Sequence, residues 1–262
     1  MNLDLCGRHA LVCGASQGIG RAAAIELALL GANVTVLARR DDELRSLVAQ
    51  LPRKRPDQTH AWIAADLSDL QTAAAKVHST VTQQPVQILV NNSGGPPPGT
   101  VHNAGAAEFV AAFNQHLLGA HVMLQAVLPG MRASGYGRVI NVISTSVKEP
   151  IPGIGVSNTI RGAVAAWAKT LATELGPAGI TVNNVLPGST ATPRIAQIVG
   201  ARARSSGRSE DEVRAEMMSH VPLGRFAEPA EVAAAIAFLA SPAAAYISGI
   251  NLPVDGGRMH SL

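Results

Sequence analysis

The sequence predicts an α/β fold, doubly wound around a central parallel sheet of about seven strands with helices on both faces. Three observations carry that expectation. Short β-branched runs alternate with longer helical patterns from end to end. The strand runs carry apolar residues on both faces, as expected for a parallel sheet covered on both sides. A turn rich in glycine, Gly14 to Gly20 (GASQGIG), leaves the first strand and enters the first helix.

The strands read as His9–Cys13, Asn33–Ala38, Ala61–Ala64, Val86–Asn91, Arg138–Ile143, Ile180–Leu186 and Ile250–Val254. Between them, helices read as Ile19–Leu30, Asp42–Gln50, Asp69–Val81, Ala106–Met131, Asn158–Leu175 and Pro229–Leu239. Right-handed crossovers follow from that alternation. The stiff run GGPPPG at 94–99 directly follows a strand and reads as a loop beside the ligand crevice. Residues 194–219 break the alternation and read as a helical lid on a single domain spanning 1–262.

Composition narrows the function. The 262 residues are 47% hydrophobic and 15% charged, which suits one folded domain and excludes a disordered chain. A net charge of +3 with no basic run argues against nucleic acid. No apolar stretch reaches the roughly 18 residues of a membrane span, and the N-terminus lacks the layout of a secretory signal, so a cytoplasmic location is expected. The two cysteines, Cys6 and Cys13, read as buried free thiols, and the scattered histidines suggest no metal site.

The loop after the first strand points to a dinucleotide. Gly14, Gly18 and Gly20 permit a tight turn and close backbone approach to a pyrophosphate, and the following helix offers free N–H groups and a positive dipole end. The second strand ends Ala38-Arg39-Arg40, with no carboxylate to accept a ribose 2′-hydroxyl. Arg39 offers a planar fork for a 2′-phosphate, so NADP(H) is expected rather than NAD(H).

These motifs resemble the short-chain dehydrogenase/reductase family. The GASQGIG loop, Asp66-Leu67, Asn91-Asn92-Ser93-Gly94, Asn114, Pro187-Gly188 and the tail from Pro222 to Gly257 carry the likeness, which covers nearly the whole chain. The tail is most similar to that of 3-oxoacyl-ACP reductases. The resemblance implies a Rossmann-type sheet, a nicotinamide cofactor and a homotetramer or homodimer. It assigns Gly14, Ser16, Gln17, Ile19 and Gly20 to the pyrophosphate and Arg39 to the 2′-phosphate. Asp66 and Leu67 would flank the adenine, with Asn91 and Gly94 beside the cofactor. Pro187, Gly188, Thr190 and Thr192 would frame the nicotinamide. Ser93 stands where the family usually has Ala.

The family's chemistry uses a Ser, a Tyr, a Lys one helical turn further on, and an Asn that holds water. The Ser falls at Ser144 and the Asn at Asn114, but the Tyr position holds Ser157 and the Lys position Arg161. An aliphatic hydroxyl is a far weaker acid than a phenol, so Ser157 is a poor proton donor to an alkoxide. Arg161 retains the cation and would still reach the nicotinamide ribose. Tyr136 lies at the wrong end of the sheet and Tyr246 in a segment that reads as packing. Lys148, Glu149, His116 and His121 are the remaining candidates, beside water held by Ser144, Ser157 and Asn114.

Two functions fit. One is an NADP(H)-dependent oxidoreductase acting on a small carbonyl/alcohol pair, acyl thioesters included, with an altered proton relay. The other is a cofactor-binding sensor or partner subunit that has given up the chemistry. The lid arginines Arg194, Arg202, Arg204, Arg208 and Arg214 alternate with Glu210, Asp211, Glu212 and Glu216. They read as an exposed helix pair rather than a polyanion site.

Overall fold

A computed structural model describes residues 1–261. Seven strands, β1 (His9–Cys13), β2 (Asn33–Ala38), β3 (His60–Ala64), β4 (Ile88–Asn91), β5 (Gly137–Val142), β6 (Ile180–Pro187) and β7 (Asn251–Val254), form one sheet in the order β3-β2-β1-β4-β5-β6-β7. Every pairing is parallel, with Val12 opposite Val36 on one side of β1 and Leu11 opposite Leu89 on the other. The chain winds outward from β1 to β3 and then jumps back to β4. The carboxyl ends of β1 and β4 therefore open a crevice at a topological switch point.

Strand periodicity divides the core into two layers. Ala10 and Val12 of β1 face α1 (Gly18–Leu29) and α9 (Pro229–Ala240), whose Ala23, Ala24, Ala237 and Ala240 allow close approach. Leu11 and Cys13 face the opposite layer, built on Val77 of α3 (Leu70–Gln83), Met123, Val127 and Met131 of α5 (Gly119–Ser134) and Ala168 of α6 (Gly155–Leu175). The short helix α2 (Asp41–Gln50) follows β2 directly, with Asp41, Asp42 and Glu43 in its positive first turn.

The helix expected over Ala106–Met131 is interrupted. α4 (Ala106–Phe113) passes through a π-turn, Asn114–Leu118, before α5 begins. A π-turn adds one residue to the turn and changes which side chains face inward. His116 becomes buried while Asn114 does not.

The segment after β6 folds as α7 (Pro193–Ser206) and α8 (Glu210–Ser219), joined through Val199, Ala203 and Val213. Ser209 and Glu212 form a capping box at the start of α8, and Arg208 pairs with Glu216. Two expectations need correction. Tyr246 does not pack but is fully exposed, and Cys6 is only half-buried, whereas Cys13 is buried as expected. Among the described residues, no helix is long and apolar enough to cross a membrane.

Candidate active site

The phosphate loop is held from behind. Asn92, just past β4, donates its Nδ2 to the Gly14 carbonyl at 3.1 Å. Gly14 has φ +61°, and a Cβ there would lie 2.5 Å from the Asn92 carbonyl oxygen; one at Gly20 would lie 2.3 Å from the Gly14 oxygen. Only glycine fits these positions. Gln17, the N-cap of α1, gives no side-chain cap, so the first-turn N–H groups stay open to an anion. Arg40 reaches over the loop, donating to Ser16 Oγ at 3.2 Å and Gln17 Oε1 at 3.0 Å, and pairs with Glu43. Arg39 turns to Asp66 at 4.0 Å, both well exposed at the ends of β2 and β3. An open helix N-terminus and two adjacent guanidinium groups suit a pyrophosphate and a 2′-phosphate. The second arginine, Arg40, was not singled out by the sequence.

The crevice, about 280 Å³, brings together Gly14, Gln17, Ile19, Gly94, Ser144, Ser157, Arg161, Pro187, Gly188, Thr190 and Thr192. Ser144 Oγ accepts the Ser146 N–H at 3.1 Å, which leaves the Ser144 hydroxyl proton free to donate. Ser157 lies in the first turn of α6, and Arg161, one turn on, donates Nη1 to the Val142 carbonyl at 3.0 Å. Burial lowers the Arg161 pKa to about 10, assisted by the nearby Arg194 charge, so the guanidinium stays protonated at neutral pH.

A second, smaller cavity of about 20 Å³ lies behind the first, with Arg161 and Ser93 in the wall of both. It has room for about one water. Its lining includes Leu67, Asn91 and His116. Ser93 Oγ lies 2.7 Å from His116 Nδ1, while His116 Nε2 is buried with no partner among the described residues. The serine that departs from the family pattern thus meets a buried histidine. Burial, with the Arg161 charge adding, lowers the His116 pKa to about 2, so the ring is neutral. A neutral imidazole presents one donor and one acceptor, so Nε2 complements whichever role Nδ1 takes toward Ser93.

Asn114 opens the π-turn and lines neither cavity, whereas His116, two residues on, lines the smaller one. Asn91 is positioned by an amide ladder rather than left free. Its Nδ2 donates to Asn141 Oδ1 at 2.9 Å, Asn141 donates to Asn184 at 2.9 Å, and Asn184 to Asn251 at 2.8 Å. Ser16, Gly20, Arg39 and Asp66 lie outside the crevice lining. Tyr136 is remote, donating to the Ala240 carbonyl at 2.7 Å. Glu149 is engaged by the chain end, accepting the His260 N–H at 2.7 Å and the Ser261 N–H at 2.5 Å.

The buried, neutral His116 makes stability depend on pH. Its folded pKa is depressed below the ordinary imidazole value of 6.5, so the unfolded chain takes up the proton first and stability falls as pH drops below that value. The loss is about 1.4 kcal/mol per pH unit below 6.5 from this group. Urea unfolding at pH 7.5 and 5.5 should show a smaller acid loss for His116→Asn than for the wild type. An equal loss in both would place the titration elsewhere, at the buried His9 or the half-buried His60.

Parallel sheet, open helix terminus and converging hydroxyl and guanidinium groups define a dinucleotide-dependent oxidoreductase fold and site. Comparison with known proteins agrees. A model of the family described as Enoyl-(Acyl carrier protein) reductase matches residues 14–259. The NADPH-dependent reductase BacG of Bacillus subtilis (strain 168) is 31% identical over 258 residues, covering 97% of this chain and 99% of that one. The 3-oxoacyl-[acyl-carrier-protein] reductase FabG of Vibrio harveyi is 34% identical, covering 98% of each. The L-sorbose reductase of Gluconobacter frateurii, solved with NADPH and L-sorbose, superimposes with a TM-score of 0.92 at 29% identity over 100% of both chains. The chain belongs to the short-chain dehydrogenase/reductase family of oxidoreductases.

Proposed function

We propose that this chain is an NADP(H)-dependent reductase of small carbonyl compounds, 3-oxoacyl thioesters among those to be tested, whose proton relay runs without a phenol. The carrying observation is the convergence of Ser144, Ser157 and Arg161 on the crevice that also holds the phosphate loop. Arg39 and Arg40 take the 2′-phosphate, and Pro187, Gly188, Thr190 and Thr192 border the nicotinamide. Bound NADPH supplies the hydride. The hydroxyls of Ser144 and Ser157 donate to the carbonyl oxygen, and the Arg161 guanidinium stabilises the negative charge that builds there. Ser157 passes its proton to the alkoxide and is reprotonated through water in the small cavity, held between His116 Nε2 and Arg161, which takes up a proton from bulk solvent in turn. His116 then takes the place expected for Asn114.

The helix pair α7–α8 serves as the lid of a single domain, with Pro193, Ile195 and Ile198 of α7 over the crevice. Val110 and Phe113 leave an apolar strip exposed on α4, which suits a homodimer or homotetramer. Free thiols at Cys6 and Cys13 suit the cytoplasm.

The test is NADPH oxidation by the purified protein over a panel of ketones and 3-oxoacyl thioesters, beside a Ser157→Tyr/Arg161→Lys double variant. Wild-type turnover is expected, with NADPH preferred over NADH by about tenfold or more. Arg39→Asp/Arg40→Asp should reverse that preference. A silent wild type beside an active double variant would identify a cofactor-binding protein instead.

A further inference from the structure

Two guanidinium groups face the crevice with no carboxylate to answer them. Arg161 is 8% exposed, and its hydrogen bond runs to a backbone carbonyl. Arg194, at the start of α7, is half-buried and donates Nη2 to the Pro96 carbonyl at 2.7 Å. Among the described residues, neither has an Asp or Glu within ion-pair distance. The two charges sense each other, since Arg194 contributes to holding the Arg161 pKa down. Like charges withdrawn from water and matched only by carbonyl dipoles are costly to keep. The planar guanidinium of Arg194 is suited to a carboxylate.

The crevice lining also includes the apolar Ile154, Ile195 and Ile198. Arg39 and Arg40, at the end of β2, supply cations for the cofactor's 2′-phosphate. Arg194 is instead fastened to the loop after β4, where a Cβ on Gly95 would lie 3.4 Å from its Nη2. We propose that the substrate is an oxo acid with an apolar body, its carboxylate held by Arg194 and its ketone presented to Ser144, Ser157 and Arg161. This substrate class rests on the reductase reading above.

The probes are 4-oxopentanoate and 2-oxo-4-phenylbutanoate, each beside its methyl ester. Two readouts are used: calorimetric binding to the NADP⁺ complex, and NADPH oxidation. The wild type should favour each acid over its ester by about tenfold or more in affinity and in kcat/KM. Arg194→Gln should erase most of that ratio, by about 10- to 100-fold, while the Kd for NADPH, read by fluorescence, moves less than about twofold. Arg194→Lys, which keeps the charge but not the fork, should recover part of it.

Equal handling of acid and ester by the wild type overturns the proposal, and needs no variant to fold. So does an Arg194→Gln protein that binds NADPH tenfold more weakly with its acid preference intact, since Arg194 would then serve a cofactor phosphate. If neither probe is reduced, acid binding that disappears in Arg194→Gln upholds the anion site while the reductase reading fails.

Discussion

A Gly14→Val protein is expected to bind NADPH about 100-fold more weakly than the wild type, or not at all. Gly14 sits at φ +61°, in the left-handed region that a β-branched residue scarcely enters. Its Cβ would also lie 2.5 Å from a backbone oxygen of Asn92, an atom that cannot swing aside. The loop must therefore move away from β4, carrying with it the first turn of α1 that meets the phosphates. Equilibrium binding followed by NADPH fluorescence measures the loss, with circular dichroism to confirm that the sheet persists. Gly162→Ala is the control. Its Cβ meets nothing within 4 Å on α6, so it should keep NADPH affinity and add about 0.5–1 kcal/mol of stability by reducing helix-interior freedom. Unchanged NADPH binding by Gly14→Val would remove the loop from the cofactor site.

Ser144→Ala and Ser157→Ala should each lower kcat by about 10²- to 10³-fold while leaving the Kd for NADPH in place. Both hydroxyls donate to the same developing oxyanion in the proposed reaction. Ser144 Oγ already accepts the Ser146 N–H, which leaves its proton available to donate to that oxygen. Without a phenol, the two hydroxyls and Arg161 supply the stabilisation that one strong acid would otherwise provide. The double variant should lose less than the product of the two single losses, since the donors act on one oxygen. Single-turnover kinetics with saturating NADPH separates this loss from binding. A Ser157→Ala protein as fast as the wild type would leave Ser144 and Arg161 alone at the oxygen.

Much of the architecture was legible because it rests on local rules. Strands with apolar side chains on both faces, such as Leu11-Val12 and Leu89-Val90, must be covered on both sides. Glycines between a strand and a helix announce the phosphate loop, and Pro187-Gly188 at the end of β6 marks the same sheet edge. The reading of Ser157 and Arg161 at the family's Tyr and Lys positions rests on the resemblance and on counting from Ser144 into α6.

The sequence by itself thus determined the parallel sheet and the switch-point crevice. What it could not determine was which neighbouring side chain turns inward. Asn114 and His116 are two residues apart, and a π-turn decides between them; that turn has no composition of its own. Arg39 and Arg40 are adjacent, and only the start of α2 sends the second one over the loop. The meeting of Ser93 with His116 across 23 residues, and of Arg194 with Pro96 across 98, belongs to the tertiary structure alone. Periodicity records burial along one element, whereas these contacts depend on where two elements end in space.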